Sequence, residues 1–170
     1  MVTNLIFDLD NTLVDTSLAL SARSRRAWQE VYSLIPRFTL YDGMVELCDL
    51  IRNNNYNTCI VSTSPKRYVE KVVRYFDLPF SNIIGYHDAK IKPAPDAMFL
   101  ALSIMGAKPL ETISFGDKCN DMIASNIAGI PSAACFWGSD EKERLLLTSS
   151  TYRFYSPKEV SQFLSGSDNQ

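Results

Sequence analysis

The feature that most constrains the fold is an alternation of short apolar segments with longer helical segments along the whole chain. The short segments are near-continuous apolar runs, as in parallel strands that helices cover on both faces. We expect strands at Val2–Phe7, Thr58–Val61, Ile83–Tyr86, Thr112–Phe115, Ala133–Trp137 and Tyr152–Tyr155. We expect helices at Ser17–Tyr32, Met44–Asn53, Pro65–Phe76, Pro95–Met105, Asn120–Ala128, Asp140–Leu147 and Pro157–Leu164. This order predicts a doubly wound, Rossmann-like α/β fold of three layers, with helices on both faces of a mostly parallel sheet of five or six strands.

Composition and charge exclude several classes of protein. The length of 170 residues suits one domain, and the formal net charge of -2 gives no indication of a nucleic-acid binder or a polybasic membrane anchor. The four cysteines are widely separated and form no C-x-x-C pair, which predicts reduced, mostly buried thiols. The chain starts without a leader-like segment, and no apolar run is long enough to span a membrane. We therefore expect a soluble, cytoplasmic protein.

The first predicted strand ends in two carboxylates, in the motif Asp8-Leu9-Asp10-Asn11-Thr12. Like charges so close repel each other, and a hard cation such as Mg²⁺ relieves that repulsion. Asp and Asn are also common in turns and at helix N-termini, so this motif alone leaves both interpretations open.

Two further motifs follow predicted strands and suit the binding of an anion. Ser62, Thr63 and Ser64 precede a helix, where hydroxyls and free backbone N–H groups can bind a phosphate, although Ser64 also suits an ordinary N-cap. Lys92 precedes a Pro-x-Pro turn that fixes its backbone, so its ammonium group can act as a fixed positive charge. Lys90, on the looser side of this turn, is expected to be a solvated surface residue.

A fourth motif places Asp117 at the end of an apolar strand and Asp121 at the start of the next helix. These carboxylates could ligate a cation and orient its ligands, or Asp117 could cap the helix while Asp121 lies favourably in its first turn. All four motifs lie at the C-terminal ends of predicted parallel strands, where open α/β sheets bind ligands. Chance helix capping would not be expected to bring two acidic clusters, an anion-binding turn and a fixed lysine to one edge.

The four motifs together resemble those of the haloacid dehalogenase-like superfamily, and the chain is most similar to its phosphoglycolate-phosphatase-type branch. Asp8-Leu9-Asp10-Asn11-Thr12 matches the first motif, Ser62 the second, Lys92-Pro93 the third and Gly116-Asp117 with Asp121 the fourth. The resemblance extends from the first strand to about Phe163.

The resemblance implies a Mg²⁺-dependent phosphohydrolase that cleaves a phosphate monoester through an aspartyl-phosphate. Asp8 would be the nucleophile, and Asp10 would protonate the leaving oxygen and then deprotonate water. The Asp8 carboxylate, the Asp10 backbone carbonyl and the Asp117 carboxylate would hold Mg²⁺. Members that cleave carbon–halogen bonds lack a carboxylate at the position of Asp10, so phosphate chemistry is favoured.

The remaining residues of the predicted site would bind the phosphoryl group or support the metal. Ser62, the Thr63 backbone N–H and Lys92 would bind the phosphoryl oxygens. Asp121 would support either the ligands of the metal or Lys92.

The chain departs from its relatives between the first and second motifs, where they insert a much longer helical cap. Residues from about 15 to 39 would form a minimal cap within a single core of residues 1–164, followed by a frayed tail at 165–170. We expect one amphipathic helix here, and interpret Arg23, Arg25 and Arg26 as its solvated face rather than as a binder of a second anionic group. The site is therefore expected to be open.

The sequence leaves the substrate undecided. A small phosphorylated metabolite, such as a nucleotide or sugar phosphate, is the leading hypothesis. A phosphate on a macromolecule (nucleic acid included), phosphotransfer, and a non-catalytic binding module on the same scaffold stay open. The single histidine, His87, is expected to be an ordinary loop or strand-end residue, while Lys118 and the oligomeric state receive no prediction.

Overall fold

A computed structural model describes residues 1–166, and this part of the chain confirms the predicted α/β fold. It contains one sheet of six parallel strands and a separate antiparallel pair of two-residue strands. In chain order the strands are β1 (Asn4–Phe7), β2 (Val14–Asp15), β3 (Thr39–Leu40), β4 (Asn57–Val61), β5 (Asn82–Ile84), β6 (Thr112–Gly116), β7 (Ser132–Cys135) and β8 (Tyr152–Phe154).

The helices follow the predicted positions except in the segment between β2 and β3. They are α1 (Leu20–Ser24), α2 (Trp28–Leu34), α3 (Met44–Asn53), α4 (Lys66–Tyr75), α5 (Asp96–Met105), α6 (Cys119–Ile127), α7 (Lys142–Leu147) and α8 (Pro157–Gly166). Short 3₁₀ turns occupy Ser17–Ala19, Ile35–Arg37 and Pro109–Glu111.

The large sheet has the strand order β5-β4-β1-β6-β7-β8 and buries both of its faces. Side chains of β1 alternate between two apolar clusters: Leu5 and Phe7 pack with α3, α4 and α8, whereas Ile6 packs with α5 and α6. This arrangement is the three-layer fold expected from near-continuous apolar strands. The chain leaves β1 toward β4 and later returns to its other side with β6, so the strand order reverses at β1. Such a reversal is where open α/β sheets bind ligands.

The register of the central strands aligns their C-terminal ends. Phe7 pairs with Ile60 of β4 and with Phe115 of β6, and the Phe7 and Phe115 rings stack with centroids 4.3 Å apart. The residues that follow these strands therefore emerge side by side at one edge of the sheet.

The prediction of one helix over Ser17–Tyr32 is wrong, because the chain turns between α1 and α2. Arg26 has a left-handed backbone with φ 56°, and the Ala27 N–H donates to the Ala22 carbonyl at 2.9 Å. This is the hydrogen bond of a Schellman motif, which usually carries glycine at the left-handed position. Because arginine stands there instead, the sequence contains no obvious stop signal.

The segment between β2 and β3, residues 16–38, is named the flap here. The antiparallel pairing of Val14 with Leu40 and of Asp15 with Thr39 closes its base. The flap packs against α4, where the Lys71 ammonium group lies 5.4 Å from the centre of the Tyr32 ring. It is a compact hairpin-based element of two short helices rather than a single amphipathic helix.

Three further expectations concern the periphery of the fold. All four cysteines are free and buried, as predicted. Helices in the described residues are all too short or too polar to cross a membrane. The tail predicted to fray at 165–170 begins as the last two residues of α8, and 167–170 lie outside the described residues.

Candidate active site

A cavity of about 260 Å³ lies at the C-terminal edge of the sheet. Five side chains predicted from the sequence line it: Asp8, Asp10, Thr63, Lys92 and Asp121. The other two predicted residues, Ser62 and Asp117, are buried and adjoin lining residues in the chain, with exposed fractions of 5% and 1%. The structure thus brings all seven predicted residues to one place.

Lys92 is buried at the centre of this site and bridges two carboxylates. Its Nζ atom lies 2.8 Å from Asp8 Oδ1 and 2.5 Å from Asp121 Oδ1, and it donates to the Val61 carbonyl at 2.9 Å. Burial alone would lower the pKa of Lys92, but Asp121 and Asp8 outweigh burial and raise it. Lys92 is therefore a fixed cation, whereas Lys90 is exposed as predicted.

Asp121 is held from two sides, which fixes the position of Lys92 in turn. One carboxylate oxygen contacts Lys92, and the other accepts a hydrogen bond of 2.9 Å from the Lys118 backbone N–H at the start of α6. The Lys118 side chain also lines the cavity and donates to Asp140 at 2.9 Å. Of the two sequence alternatives for Asp121, this geometry favours support of Lys92.

Asp8 lies in a strongly acidic and desolvated environment. Burial raises the pKa of its carboxyl group to about 7, and the negative charges of Asp121 and Asp10 add to this, while Lys92 opposes it. A carboxylate in such surroundings is stabilised by any additional positive charge.

Asp117 provides the observation that tests whether a metal fits. Its Oδ1 accepts a hydrogen bond of 2.9 Å from the Thr12 hydroxyl, but its Oδ2 is buried without a hydrogen-bond partner among residues 1–166. Burial raises the pKa of Asp117 well above its usual range, and the charges of Asp8 and Asp121 raise it further. A buried oxygen without a partner is costly, and a hard divalent cation would satisfy it. Neither carboxylate oxygen of Asp117 accepts a hydrogen bond from α6, so Asp117 does not cap this helix.

The predicted ligands are all oxygen atoms, which is the type of ligand that Mg²⁺ prefers. Within residues 1–166, no three His, Cys, Asp or Glu side chains converge as a ready-made metal cluster. The predicted set does not need one, since it combines two carboxylates, Asp8 and Asp117, with the backbone carbonyl of Asp10. Mg²⁺ is commonly held by one or two carboxylates, with water and substrate phosphate completing its ligands.

Asp10 accepts contacts from four side chains in the described part of the chain. Thr16 and Tyr68 donate to its Oδ1 at 2.8 Å each, while Ser64 donates to Oδ2 at 2.9 Å and Arg23 pairs with Oδ2 at 2.6 Å. The Tyr68 ring is fully buried, so this network belongs to the core. Asp10 is thereby fixed between the flap and α4.

This network corrects two predictions. Arg23 is not on a solvated face, because its side chain is only 15% exposed and paired with Asp10, whereas Arg25 and Arg26 are exposed. Ser64 does not cap α4, which begins at Lys66 after Pro65, since its hydroxyl is directed to Asp10.

Sequence reasoning missed three of these partners, Thr16, Tyr68 and Arg23. Thr16 has a hydroxyl in the loop that follows Asp10, which is a weak signal. Tyr68 lies in the first turn of α4, four residues after Ser64, which is a weak signal. Arg23 has no signal of its own, because its approach to Asp10 depends on the turn at Arg26.

The loop Asp8–Thr12 packs against the residues that follow β7. The Trp137 indole donates to the Thr12 carbonyl at 2.9 Å. A side chain at Gly138 would overlap the Asn11 carbonyl and the Tyr41 hydroxyl, so only glycine fits at this position. The Asp8–Thr12 loop is therefore fixed by packing as well as by its hydrogen bonds.

Similarity to known proteins agrees with this geometry. The family described as haloacid dehalogenase-like hydrolase matches residues 22–135, a span that holds Ser62, Lys92 and Asp117 but begins after Asp8. The chain is 29% identical over 100 residues to pyrophosphatase PpaX of Bacillus cereus (strain AH820), which covers 57% of the chain and 46% of the relative. It is 28% identical over 102 residues to phosphoglycolate phosphatase of Haemophilus influenzae (strain KW20 / Rd), covering 58% and 46%.

Solved structures share the fold over nearly the whole chain. A haloacid dehalogenase-like family hydrolase from Streptococcus pneumoniae has a TM-score of 0.82 at 20% identity, with 96% of this chain and 98% of that chain covered. A predicted phosphatase from Clostridium acetobutylicum has a TM-score of 0.81 at 17% identity, with 98% and 100% covered. The chain spans about half the length of the curated relatives named above, which it matches over 46% of their sequence. On the family match across residues 22–135, the chain belongs to the haloacid dehalogenase-like hydrolases.

Proposed function

We propose that this chain is a Mg²⁺-dependent phosphatase that hydrolyses the phosphate monoester of a small metabolite through an aspartyl-phosphate on Asp8. The observation that carries the proposal is the position of Asp8 in the cavity. Its carboxylate lies 2.8 Å from the Lys92 ammonium group, and its charge helps to raise the pKa of Asp117, whose Oδ2 lacks a partner. Relatives named pyrophosphatase and phosphoglycolate phosphatase support a small phosphorylated substrate.

The metal would be held by the Asp8 carboxylate, the Asp10 backbone carbonyl and the Asp117 carboxylate. When bound, Mg²⁺ would offset the repulsion between these acids and the negative charge of the phosphoryl oxygens. The partnerless oxygen of Asp117 supports this assignment.

The phosphoryl oxygens would be bound by Lys92, the Ser62 hydroxyl and the Thr63 backbone N–H. Positive charge and N–H donors fixed at such a site stabilise the transition state without further reorganisation. Asp121 would be a positioning residue, because it holds the Lys92 ammonium group.

Two displacements at phosphorus would complete the reaction. In the first, an Asp8 oxygen bonds to phosphorus, the ester P–O bond breaks, and the leaving oxygen takes a proton from Asp10. In the second, Asp10 takes a proton from water, the water oxygen bonds to phosphorus, and the bond to Asp8 breaks to release inorganic phosphate.

The four side chains that donate to the Asp10 carboxylate affect the first displacement, in which Asp10 must carry a proton. A carboxylate has about four acceptor positions, so a proton on Asp10 must displace one donor. Ser64 and Tyr68 belong to the α4 region and Thr16 is the first residue of the flap, whereas Arg23, farther along the flap, also lines the active-site cavity. We infer that Arg23 is the contact exchanged for the proton.

The domain organisation proposed for this activity is one core, residues 1–164, with residues from about 15 to 39 as a minimal cap. The pairing of β2 with β3 supports this division, because it closes the segment at its base.

The proposal is tested by hydrolysis of p-nitrophenyl phosphate by the parent chain, with Mg²⁺ and with EDTA. Turnover should require Mg²⁺, and Asp8→Asn should lower kcat by on the order of 10³-fold or more, because the nucleophile is lost. Asp77→Asn makes the same chemical change on an aspartate whose side chain is 99% exposed, and it should retain parental activity.

Equal activity of the parent and Asp8→Asn would remove Asp8 from the reaction. Absence of turnover with the parent and a panel of phosphate esters would favour a binding module on the same scaffold.

A further inference from the structure

A second cavity adjoins the active-site cavity and shares three lining residues with it, Leu20, Arg23 and Thr63. Its volume of about 390 Å³ exceeds the 260 Å³ of the site itself and falls in the range of small-molecule pockets. A group joined to a phosphate at Asp8 could therefore extend into this space. Its walls are formed by the flap, the start of α4 and the loop after β5: Leu20, Arg23, Ser24, Arg26, Trp28, Thr63, Ser64, Pro65, Tyr86 and His87.

The lining of this second cavity is aromatic and cationic. It holds three ring side chains, Trp28, Tyr86 and His87, and two guanidinium groups, with no carboxylate among the described lining residues. The Tyr86 and His87 rings stand perpendicular with centroids 4.8 Å apart. The active-site cavity differs, because Asp8, Asp10 and Asp121 line it.

The ring-bearing walls are held in place by the fold. Trp28 packs against Tyr68, with ring centroids 5.8 Å apart, and Tyr68 in turn donates to Asp10. On the other wall, the Tyr86 N–H donates to the Ser64 carbonyl at 3.0 Å. A side chain at Gly85 would lie 2.5 Å from the Lys66 backbone nitrogen, so glycine is required for this close approach.

The two arginines differ in what they can offer a ligand. Arg23 stands where the two cavities meet and pairs with Asp10. Arg26 is exposed, and among residues 1–166 its side chain forms no salt bridge. A guanidinium group can stack on a planar ring or donate paired hydrogen bonds to its carbonyl and ring-nitrogen acceptors.

We propose that this second cavity is a leaving-group subsite that binds the base of a nucleoside phosphate whose phosphate lies at Asp8. The inference rests on the proposed function and names its substrate class. Flat aromatic faces suit stacking on a base, and guanidinium donors suit its acceptors. Phosphoglycolate or pyrophosphate would place no planar group against the rings, and a purely apolar ligand would offer no acceptor to Arg26.

A nucleoside phosphate can come from two sources, a free mononucleotide or the phosphorylated end of an oligonucleotide. Both carry a base and a phosphate, so the chemistry that the pocket recognises is the same. The experiment therefore includes both ligands.

The first test is binding to Asp8→Asn, which keeps the pocket but lacks the nucleophile. A nucleoside 5′-monophosphate and ribose 5-phosphate form a matched pair, because ribose 5-phosphate has a hydroxyl group in place of the base. We expect the nucleotide to bind at least about tenfold more tightly, since stacking on aromatic side chains contributes that much per base. Tryptophan fluorescence reads the binding directly, and the nucleotide-induced change should be lost when Trp28→Phe is added.

The second test is catalytic and uses a variant on the exposed wall. Tyr86→Leu should lower kcat/KM for the nucleotide about tenfold more than for ribose 5-phosphate. Tyr75→Leu removes another exposed tyrosine, on α4 outside the cavity, and should leave both values at the parental level.

The outcomes separate this inference from the proposed function. Equal affinity for the nucleotide and ribose 5-phosphate would overturn the subsite, even if both are hydrolysed. Base-dependent binding without hydrolysis of any ester would support the subsite and overturn the phosphatase. Tighter binding of a 5′-phosphorylated dinucleotide than of the mononucleotide would assign the subsite to nucleic-acid ends, and equal binding would assign it to free nucleotides.

Discussion

Four carboxylates lie at one edge of the sheet, and each has a different set of partners. Asp8 faces Lys92, and Asp121 is held by Lys92 and a backbone N–H group. Asp10 is surrounded by hydroxyls and an arginine. Asp117 has a threonine hydroxyl on one oxygen and an unpartnered second oxygen. These surroundings give the four groups different chemistry, and the unpartnered oxygen of Asp117 is the strongest support for the proposed cation site.

The stability of the metal-free protein should show the cost of this arrangement. Folding raises the pKa of Asp8 and Asp117 above the usual value of 3.8. Above about pH 4 the unfolded chain releases these protons while the folded chain retains them. The unfolded state therefore gains stability as pH rises toward neutral, and the free energy of unfolding falls over this window. In EDTA, Asp117→Asn should be more stable than the parent at pH 7 and should show a shallower decline.

Thermal unfolding with EDTA and with Mg²⁺ checks this prediction. The parent should gain several degrees in Tm with saturating Mg²⁺, because a ligand that binds the folded state stabilises it. The gain should be lost in Asp117→Asn and kept in Asp77→Asn. An equal Mg²⁺-induced shift in Asp117→Asn would show that the metal does not bind at Asp117.

At the scale of elements, the site depends on how closely β6 approaches α6. Gly116 ends β6, and a side chain there would overlap the Cβ and Cγ atoms of Asp121 and lie 2.5 Å from its Oδ2. Asp121 can reach Lys92 because this position has no side chain. The glycine is thus required by packing.

Gly116→Ala should therefore displace Asp121 and, with it, Lys92. We expect a loss of about 1–3 kcal/mol in the free energy of unfolding, as for other overpacked core positions. We also expect at least about a tenfold loss in kcat/KM, measured by denaturant unfolding and steady-state kinetics.

Gly166→Ala is the matched control, since nothing lies within 4 Å of its added methyl group. It should change stability by less than about 0.5 kcal/mol. Parental activity and stability in Gly116→Ala would refute the dependence of Lys92 on this contact.

The sequence predicts those elements whose signal is local. The six parallel strands and α3 are visible because buried strands and amphipathic helices have distinct apolar patterns. Asp8 and Asp117 are visible because each follows a strand, and Lys92 because it precedes the Pro-x-Pro turn. Strands β2 and β3 have two residues each, which is too short for an alternation of apolar and polar side chains to be visible in the sequence. The turn at Arg26 lacks the glycine or proline that marks such a break.

The partners of Asp10 could not be predicted for a different reason. Tyr68 and Arg23 come from separate helices that meet Asp10 only in the folded chain. The sequence predicts Asp10 as a site residue, but its surroundings depend on tertiary packing of the flap against α4.

At the scale of the molecule, charge is distributed unevenly around the site. The flap (residues 16–38) and residues 62–76, which contain α4, carry eight Lys and Arg residues and two Glu residues, although the chain as a whole has a net charge of -2. The basic side therefore borders both cavities, while the remainder of the chain is acidic. Such a field raises the local concentration of anionic ligands and their rate of association. It agrees with a phosphorylated substrate that enters from the flap side.

The central claim is that Asp8 carries the phosphoryl group, and acid quenching of Asp10→Asn tests it most directly. With p-nitrophenyl phosphate and Mg²⁺, the first displacement can proceed, because the nitrophenolate leaves without a proton. The second displacement lacks its base, so the intermediate should accumulate. Mass spectrometry of the quenched protein should find one phosphoryl group on the peptide that contains Asp8. A phosphoryl group on another residue, or none while the parent chain hydrolyses the ester, would contradict the account.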